Sequence, residues 1–232
     1  MSEMITVNTL DGKENFQAYC AMPLAPATAA IIVIQEIFGV NTGIRQKCDK
    51  WATLGYLAIA PDLFWRSAPG VNLDPDVPEQ LLQAYGYMQQ FSPDIGVKDI
   101  EATIHVARAM VNGGKVGAVG YCLGGRLAYM AACRTDISAS VGYYGVMIDQ
   151  MLGEAHAIAH PLMLHIPSAD HFVGPDKQAA IHAALDHHPK VTLHDYPGLD
   201  HGFATEAGMR RNDAGAQLAD GRTAAFFAAH LG

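Results

Sequence analysis

Short apolar runs alternate with longer amphipathic segments along this chain, and this alternation restricts its fold more than any other feature. The runs AAIIVIQ (29–35) and KVGAVGY (115–121) lack polar alternation, which is typical of strands buried on both faces of a sheet. Segments with helical spacing follow these runs. Strands that alternate with helices form a mostly parallel sheet with helices on both faces. We therefore predict an α/β fold.

Periodicity and turn residues place the individual elements. The predicted strands cover 5–10, 16–22, 29–35, 56–64, 115–121, 138–145, 161–168 and 190–197, and Pro61 is expected to stop the fourth of them. The predicted helices cover 44–54, 79–90, 94–112, 124–134, 175–187 and 213–230. The first two strands flank a turn at Asp11-Gly12, and we expect them at one edge of the sheet. The sequence contains no linker composition and no internal repeat, so we predict one domain over residues 1–232.

Composition narrows the classes of function. Half of the 232 residues are apolar, which excludes wholesale disorder. The net charge of -8 argues against nucleic acid and anionic membranes as partners. No apolar run approaches the roughly 18–20 residues of a membrane span. The first residues lack the pattern of a secretory signal, and the four cysteines form no C-x-x-C pair. We therefore expect free thiols and a cytoplasmic location.

The segment VGYCLGG (119–125) carries the most specific motif. It joins a buried strand to a helix through a very short turn, with Gly120 and Gly124 on either side of Cys122. Small residues are needed there because the strand end and the helix start approach closely. This is the spacing of a nucleophile elbow, with cysteine in place of serine. The helix N-terminus favours a thiolate, and the N–H of Leu123 would donate to an oxyanion.

A cysteine nucleophile needs a base and a residue that orients the base. In this type of sheet the chain order is nucleophile, acid, histidine. Asp170 lies just after the strand 161–168, and His201 lies in a glycine-flanked loop after the last strand. Catalytic groups gather at the carboxyl ends of the strands in open α/β sheets. We therefore predict Cys122, Asp170 and His201 as a catalytic triad.

Other interpretations of these residues compete with this one. Cys122 could be an inert buried thiol, the commonest state of a cysteine. Asp200 adjoins His201, but neighbouring side chains on a loop rarely face each other, so we expect it to be exposed to solvent. His171 is a lesser candidate for the site, and His194, inside a strand, is expected to be structural.

The sequence implies no cofactor. His156 and His160 are four residues apart, a spacing that can bind zinc on a helix. No further ligand pattern such as H-E-x-x-H accompanies them, so we interpret the pair as a solvated helix face. We predict no metal ion and no organic cofactor.

Glu36 follows the apolar strand 29–35 and admits two interpretations. It could be a simple charge at a strand end. Alternatively, it lies near the elbow at the carboxyl edge of the sheet and holds the Cys122 thiol. The N–H of Ile37 would then be the second oxyanion donor, because in this fold that donor comes from the loop after this strand.

Together these residues resemble the dienelactone hydrolase family of α/β-hydrolases. The matching segments are QEIFGVN (35–41), APDLF with Arg66 and APG (within 60–70), KVGAVGYCLGG (115–125), YYG (143–145), SADHFV (168–173) and HGFA (201–204). The resemblance implies the α/β-hydrolase fold and the triad named above. It also implies that Glu36 holds the resting thiol until substrate displaces it, and that three aromatic residues line the substrate pocket. These are Phe38, Tyr85 and Tyr144.

The chain departs from the family pattern at the positions that bind the substrate carboxylate. Family members that act on dienelactones hold the substrate carboxylate with two arginines. One of these positions, four residues after the predicted catalytic histidine, is Thr205 in this chain. The other falls in a stretch without Lys or Arg, between Arg66 and Lys98. We expect dienelactone itself to be a poor substrate unless Arg210 or Arg211 reaches the site, because a carboxylate without a charged partner binds weakly.

Two functions remain open at this point. The first is a hydrolase that attacks a small-molecule ester or lactone with Cys122. The second is a non-catalytic thiol redox sensor or binding protein with the same fold. The ordered set of Cys122, Asp170 and His201 favours the hydrolase. The sequence contains no pattern that sets an oligomeric state.

Overall fold

Strands and helices alternate along the chain, as the sequence predicts. The structure is a computed structural model that describes residues 1–206 and 208–232. Residue contacts divide the chain into two units, Met1–Gly117 and Ala118–Gly232. The single domain over residues 1–232 stays a prediction.

The first unit combines an antiparallel edge with a parallel pair of strands. Its strands are β1 (Ser2–Asn8), β2 (Asn15–Ala21), β3 (Ala30–Ile34) and β4 (Leu57–Pro61), followed by the start of β5 (Val116–Tyr121). Its helices are α1 (Thr42–Thr53), α2 (Pro78–Gln90) and α3 (Pro93–Met110). The strands lie in the order β1-β2-β4-β3, where only the β3–β4 pairing is parallel. The predicted edge position of the first two strands is confirmed.

Strand β1 begins three residues before its predicted start. Ser2 pairs with Ala21 and Met4 with Tyr19, so backbone pairing extends through side chains that are mostly exposed. Periodicity could not find residues 2–4 because they bury no apolar face. The predicted turn is confirmed: Gly12 has a φ of 67°, a conformation that glycine adopts without strain.

The second unit carries a parallel set of strands. It contains the rest of β5, then α4 (Leu123–Arg134), β6 (Ala139–Tyr143), a 3₁₀ helix (Ile148–Ala157), β7 (Leu162–Pro167), α5 (Pro175–Leu185), β8 (Val191–Tyr196) and α6 (Asp213–Leu231). The strands lie in the order β5-β6-β7-β8, and the β6–β7 and β7–β8 pairings are parallel. Every residue of β5, β6 and β7 is buried, which explains their continuous apolar runs.

The predicted stop of the fourth strand at Pro61 is confirmed: β4 ends there, and the side chain of Asp62 accepts the N–H of Phe64 at 3.1 Å and turns the chain. One prediction about local structure is wrong. The predicted helix face with His156 and His160 does not form. His156 lies in the 3₁₀ helix and His160 lies beyond its end.

The α/β class with mostly parallel strands and helices is confirmed. Within the residues that the structure describes, no helix has the length and apolar character needed to cross a bilayer.

Candidate active site

Cys122 occupies a strained turn between β5 and α4. Its φ of 56° lies in the left-handed region, which non-glycine residues adopt at a cost of about 1–3 kcal/mol. A Cβ atom on Gly120 would collide with the carbonyl oxygen of Gly124, so the turn requires glycine at that position. The thiol is partly exposed, whereas the tyrosine before it and the leucine after it are buried. The geometry is that of the predicted elbow.

Backbone hydrogen bonds hold this turn against β6. The N–H of Cys122 donates to the carbonyl of Tyr143 at 3.0 Å, and the Cys122 carbonyl accepts from Arg126 at 3.2 Å and Val146 at 3.4 Å. Leu123 is the first residue of α4, so its N–H has no acceptor within the helix and lies at the positive end of the helix dipole. The local arrangement suits a nucleophile with an oxyanion donor beside it.

The other three cysteines differ from Cys122. Cys20 and Cys48 are fully buried, and Cys133 is partly buried on α4. Burial raises the pKa of the Cys20 and Cys133 thiols to about 11 and raises that of Cys48 as well. These thiols stay protonated near neutral pH, which fits their predicted packing role.

Asp170 follows β7 and is 4% exposed. Its Oδ1 accepts the backbone N–H groups of Phe172 at 2.8 Å and Val173 at 3.2 Å. Its Oδ2 lies 2.9 Å from Nδ1 of His201. The carboxylate is therefore held by its own loop and directed at the imidazole, which fixes the proton of His201 on Nδ1.

His201 is 3% exposed, and aromatic rings pack against it. Tyr144 and Phe172 meet the imidazole edge-on, with ring centroids at 4.9 Å and 4.7 Å. Nε2 is buried, and no atom of the described residues forms a hydrogen bond with it. This nitrogen is the one that remains for a proton exchanged with a thiol or a substrate.

The electrostatics of His201 depend on its two charged neighbours. Burial by itself would lower the pKa of the imidazole. The interactions of the imidazole with Cys122 and with the carboxylate of Asp170 outweigh burial, and together they raise this pKa to about 10. The structure thus brings Cys122, Asp170 and His201 close together.

The remaining predicted site residues lie in the first unit, except for Tyr144. Glu36 is half-buried two residues after the end of β3, and Ile37 and Phe38 beside it are buried. Tyr85 is half-buried on α2. The roles assigned to these four residues stay predictions.

Two arginine side chains considered as partners for a substrate carboxylate are already engaged by other groups. Arg66 forms a two-pronged ion pair with the buried Asp99. Arg211 binds Asp213 at 2.7 Å and the carbonyl of Thr205. The side chain of Arg210 packs along Gly202, next to His201.

One cluster near the site has the composition of a metal site. Ligand atoms of Asp170, His171 and Asp200 lie within 4.8 Å of one another. Hydrogen bonds account for this cluster, because both oxygens of Asp170 already have partners and Asp200 binds His171 at 2.8 Å. Two of the three residues are also exposed.

The sequence did not reveal the hydrogen bonds that Asp200 forms with His171 and His201. It is exposed as predicted, but its Oδ1 accepts the backbone N–H of His201 at 2.6 Å as well as binding His171. The prediction considered only whether Asp200 faces the imidazole. The acidic residue directly before a candidate catalytic histidine was the available signal.

Comparison with known proteins identifies the family. The model of the dienelactone hydrolase family matches residues 16–231. The chain belongs to the dienelactone hydrolase family. A carboxymethylenebutenolidase of Pseudomonas putida is 37% identical over 229 residues, which cover 98% of this chain and 97% of that protein. A protein of Azospirillum brasilense, provisionally named carboxymethylenebutenolidase, is 42% identical over 225 residues, covering 94% and 95% of the two chains.

Solved structures confirm the fold of this dienelactone hydrolase family member. A Klebsiella pneumoniae protein, provisionally named a dienelactone hydrolase, superposes with a TM-score of 0.86 at 24% identity and covers 98% of both chains. The α/β-hydrolase fold predicted from the sequence is confirmed. At the level of the family, the predicted enzyme class of an ester or lactone hydrolase is confirmed as well.

Proposed function

We propose that this protein hydrolyses esters or lactones with Cys122 as nucleophile, His201 as proton carrier and Asp170 as the residue that orients His201. The observation that carries this proposal is the geometry: Nδ1 of the buried His201 lies 2.9 Å from the buried Asp170 carboxylate, and Cys122 occupies a strained elbow nearby. The raised pKa of His201 agrees with it. An imidazolium beside a thiolate is the resting state that a cysteine hydrolase needs.

The first half of the reaction forms a thioester. The Cys122 thiolate attacks the carbonyl carbon, and the carbonyl π electrons move to oxygen, where the N–H of Leu123 donates to the oxyanion. The intermediate collapses, the bond to the alcohol oxygen breaks, and Nε2 of His201 gives its proton to that oxygen. The alcohol leaves, and in a lactone it stays attached as the other end of the opened ring.

The second half of the reaction restores the enzyme. Neutral His201 takes a proton from water through Nε2, and the water oxygen attacks the thioester carbon. The carbon–sulfur bond breaks and returns the electron pair to Cys122 as thiolate. The product is the carboxylic acid, and one water is consumed per ester.

We further propose that the natural substrate carries no carboxylate beside its reacting bond. Thr205 stands where the family has an arginine, Arg66 is paired with Asp99, and Arg211 is engaged by Asp213. A carboxylate would lack a charge-assisted partner from these residues, which leaves Arg210, packed along Gly202, as the candidate partner. Dienelactone should therefore be turned over much less efficiently than a neutral lactone of similar size, unless Arg210 reaches its carboxylate. A kcat/KM for dienelactone at or above that of the neutral lactone would contradict this.

A panel of aryl esters, alkyl esters, thioesters and lactones tests the proposed function. We expect wild-type protein to hydrolyse part of the panel and Cys122→Ala to lose turnover, with Cys133→Ala as a matched control on the next helix. Turnover that survives in Cys122→Ala would contradict the proposal. A thiol that reacts rapidly with iodoacetamide without any hydrolysis would support the redox or binding role instead.

The pH dependence separates the proton-donating role of His201 from attack by the thiolate. With alkyl esters, whose leaving group needs a proton, the acylation rate should fall as the pH rises through about 10, where the imidazolium loses its proton. With p-nitrophenyl esters, whose leaving group needs no proton, acylation should not fall there. Identical alkaline limbs for both substrates would contradict a donor role.

A further inference from the structure

A single carboxylate oxygen connects the loop that carries Asp170 with the loop that carries His201. Oδ1 of Asp200 accepts the backbone N–H of His201 at 2.6 Å and the backbone N–H of His171 at 3.0 Å. The same oxygen lies 2.8 Å from Nδ1 of His171. The donors thus belong to the histidine of the proposed triad and to the residue directly after its aspartate.

Other hydrogen bonds between these two loops end before the catalytic pair. Ser168 donates its N–H to Tyr196 at 3.1 Å, and Ala169 donates to Leu199 at 2.9 Å. These bonds align the ends of β7 and β8. Asp200 adds a hydrogen bond between the same two loops farther along the chain, next to the contact between Asp170 and His201.

The charge of Asp200 suits this role. Partial burial would raise the pKa of its carboxyl, but the hydrogen bonds from His171 and from the N–H of His201 outweigh burial and lower this pKa. The residue therefore stays an ionised acceptor over the range in which a hydrolase works, and bonds to an ionised acceptor are stronger than neutral ones.

We propose that Asp200 is a positioning residue for hydrolysis, which fixes the backbone of His201 against the Asp170 loop so that the imidazole stays aligned on the carboxylate. The proposal rests on the proposed function of Asp170 and His201. A displacement of about 1 Å at a catalytic group can lower a rate by on the order of 100-fold, so a bond this close to the imidazole should affect turnover.

Asp200→Ala and Asp200→Asn test the proposal with p-nitrophenyl esters. Asp200→Ala should lower kcat about 10- to 100-fold and leave KM within about twofold. Asp200→Asn keeps an oxygen acceptor and should recover kcat to within about threefold of wild type. His171→Ala keeps the backbone donor to Asp200 but removes the side-chain donor and the ring that packs against Phe172 and His201, so its effect should lie between those of wild type and Asp200→Ala.

Asp195→Ala is the matched control. Asp195 also accepts from a histidine, His182, at 3.1 Å, and its side chain is 54% exposed against 57% for Asp200. That bond does not involve the loops that carry Asp170 and His201, so the kcat of Asp195→Ala should equal that of wild type. Thermal unfolding of all variants checks that each one is folded.

Two results would overturn the positioning role. One is a kcat for Asp200→Ala within about twofold of wild type. The other is an equal loss in Asp200→Asn and Asp200→Ala, because the acceptor oxygen would then not matter. Turnover that persists in Cys122→Ala would instead refute the proposed function itself, so the two failures can be told apart.

Discussion

Two buried histidines of the second unit show what decides the charge of an imidazole in this protein. His201 and His165 are 3% and 1% exposed. Nδ1 of His201 meets the carboxylate of Asp170, whereas His165 bonds to two hydroxyls, Tyr196 at 2.6 Å through Nδ1 and Thr223 at 2.9 Å through Nε2.

Burial lowers the pKa of both imidazoles, but the outcomes differ. For His165, the nearby His194 and Arg222 add to burial, and the pKa falls well below 6.5. For His201, the charges of Cys122 and Asp170 reverse the effect of burial. Burial alone therefore does not determine the charge of an imidazole. Hydroxyl partners leave His165 neutral, whereas the anionic neighbours of His201 favour its protonated form.

The largest expected effect comes from removing the anion beside His201. Asp170→Asn should lower kcat by on the order of 10³- to 10⁴-fold, because the amide no longer holds the imidazole in the required tautomer or stabilises its charge. The pKa of His201, followed by NMR, should fall at the same time. Asp220→Asn is the control. Asp220 belongs to the hydrogen-bond network of His165, in which its carboxylate accepts from the Tyr143 hydroxyl at 3.0 Å. A kcat loss of equal size in both variants would contradict the claim that the partners of His201 and those of His165 give the two histidines different roles.

The network around His165 should affect stability rather than rate. Thr223 connects His165 with Tyr143, whose hydroxyl lies 2.6 Å from it. Thr223→Val keeps the shape but leaves buried polar atoms unpaired, so the free energy of unfolding should fall by about 1–3 kcal/mol. Urea titrations give this difference, and kcat should stay unchanged. A large kcat loss with unaltered stability would contradict the division of roles.

The neutral state of His165 predicts a dependence of stability on acid. Its folded pKa lies below the unfolded value of 6.5, so its contribution is present above pH 6.5 and is lost as the pH falls from there toward the folded pKa. In wild type this single group adds a slope of up to about 1.4 kcal/mol per pH unit. His165→Gln should show a shallower slope between pH 6.5 and 5, and an equal slope would count against the assignment.

His182 gives the smallest expected effect, with the opposite sign. Burial lowers its pKa, but bonds to Asp186 and Asp195 outweigh burial and raise it. Its contribution is therefore present below pH 6.5 and is lost as the pH rises through the folded pKa. His182→Gln should lose at most about 1 kcal/mol, because all three groups are partly solvated. The loss should be larger at pH 5.5 than at pH 9, and the reverse order would contradict this account.

The sequence predicted those parts of the site that depend on local chain geometry. The turn at Cys122 was predictable because glycine spacing and the strand–helix switch lie within seven residues. The placement of Asp170 and His201 was predictable from their order after strand ends, and their catalytic roles stay predictions. The bonds of Asp200 to His171 and the His165 network were not, because they join residues about 30 to 60 positions apart that only the packed strands and α6 bring together. The start of β1 was missed for a similar reason, since pairing rather than apolar character extends it.

The most direct test of the account is to locate the acyl group during turnover. Wild-type protein is mixed with a slowly deacylated aryl ester, quenched in acid within milliseconds to seconds, and mapped by peptide mass spectrometry. We predict one acyl group per chain on the peptide that contains Cys122, absent in Cys122→Ala and accumulated in His201→Ala where acylation by an activated ester still proceeds. Steady hydrolysis with no acyl group on Cys122, or with the acyl group on another residue, would contradict a cysteine nucleophile.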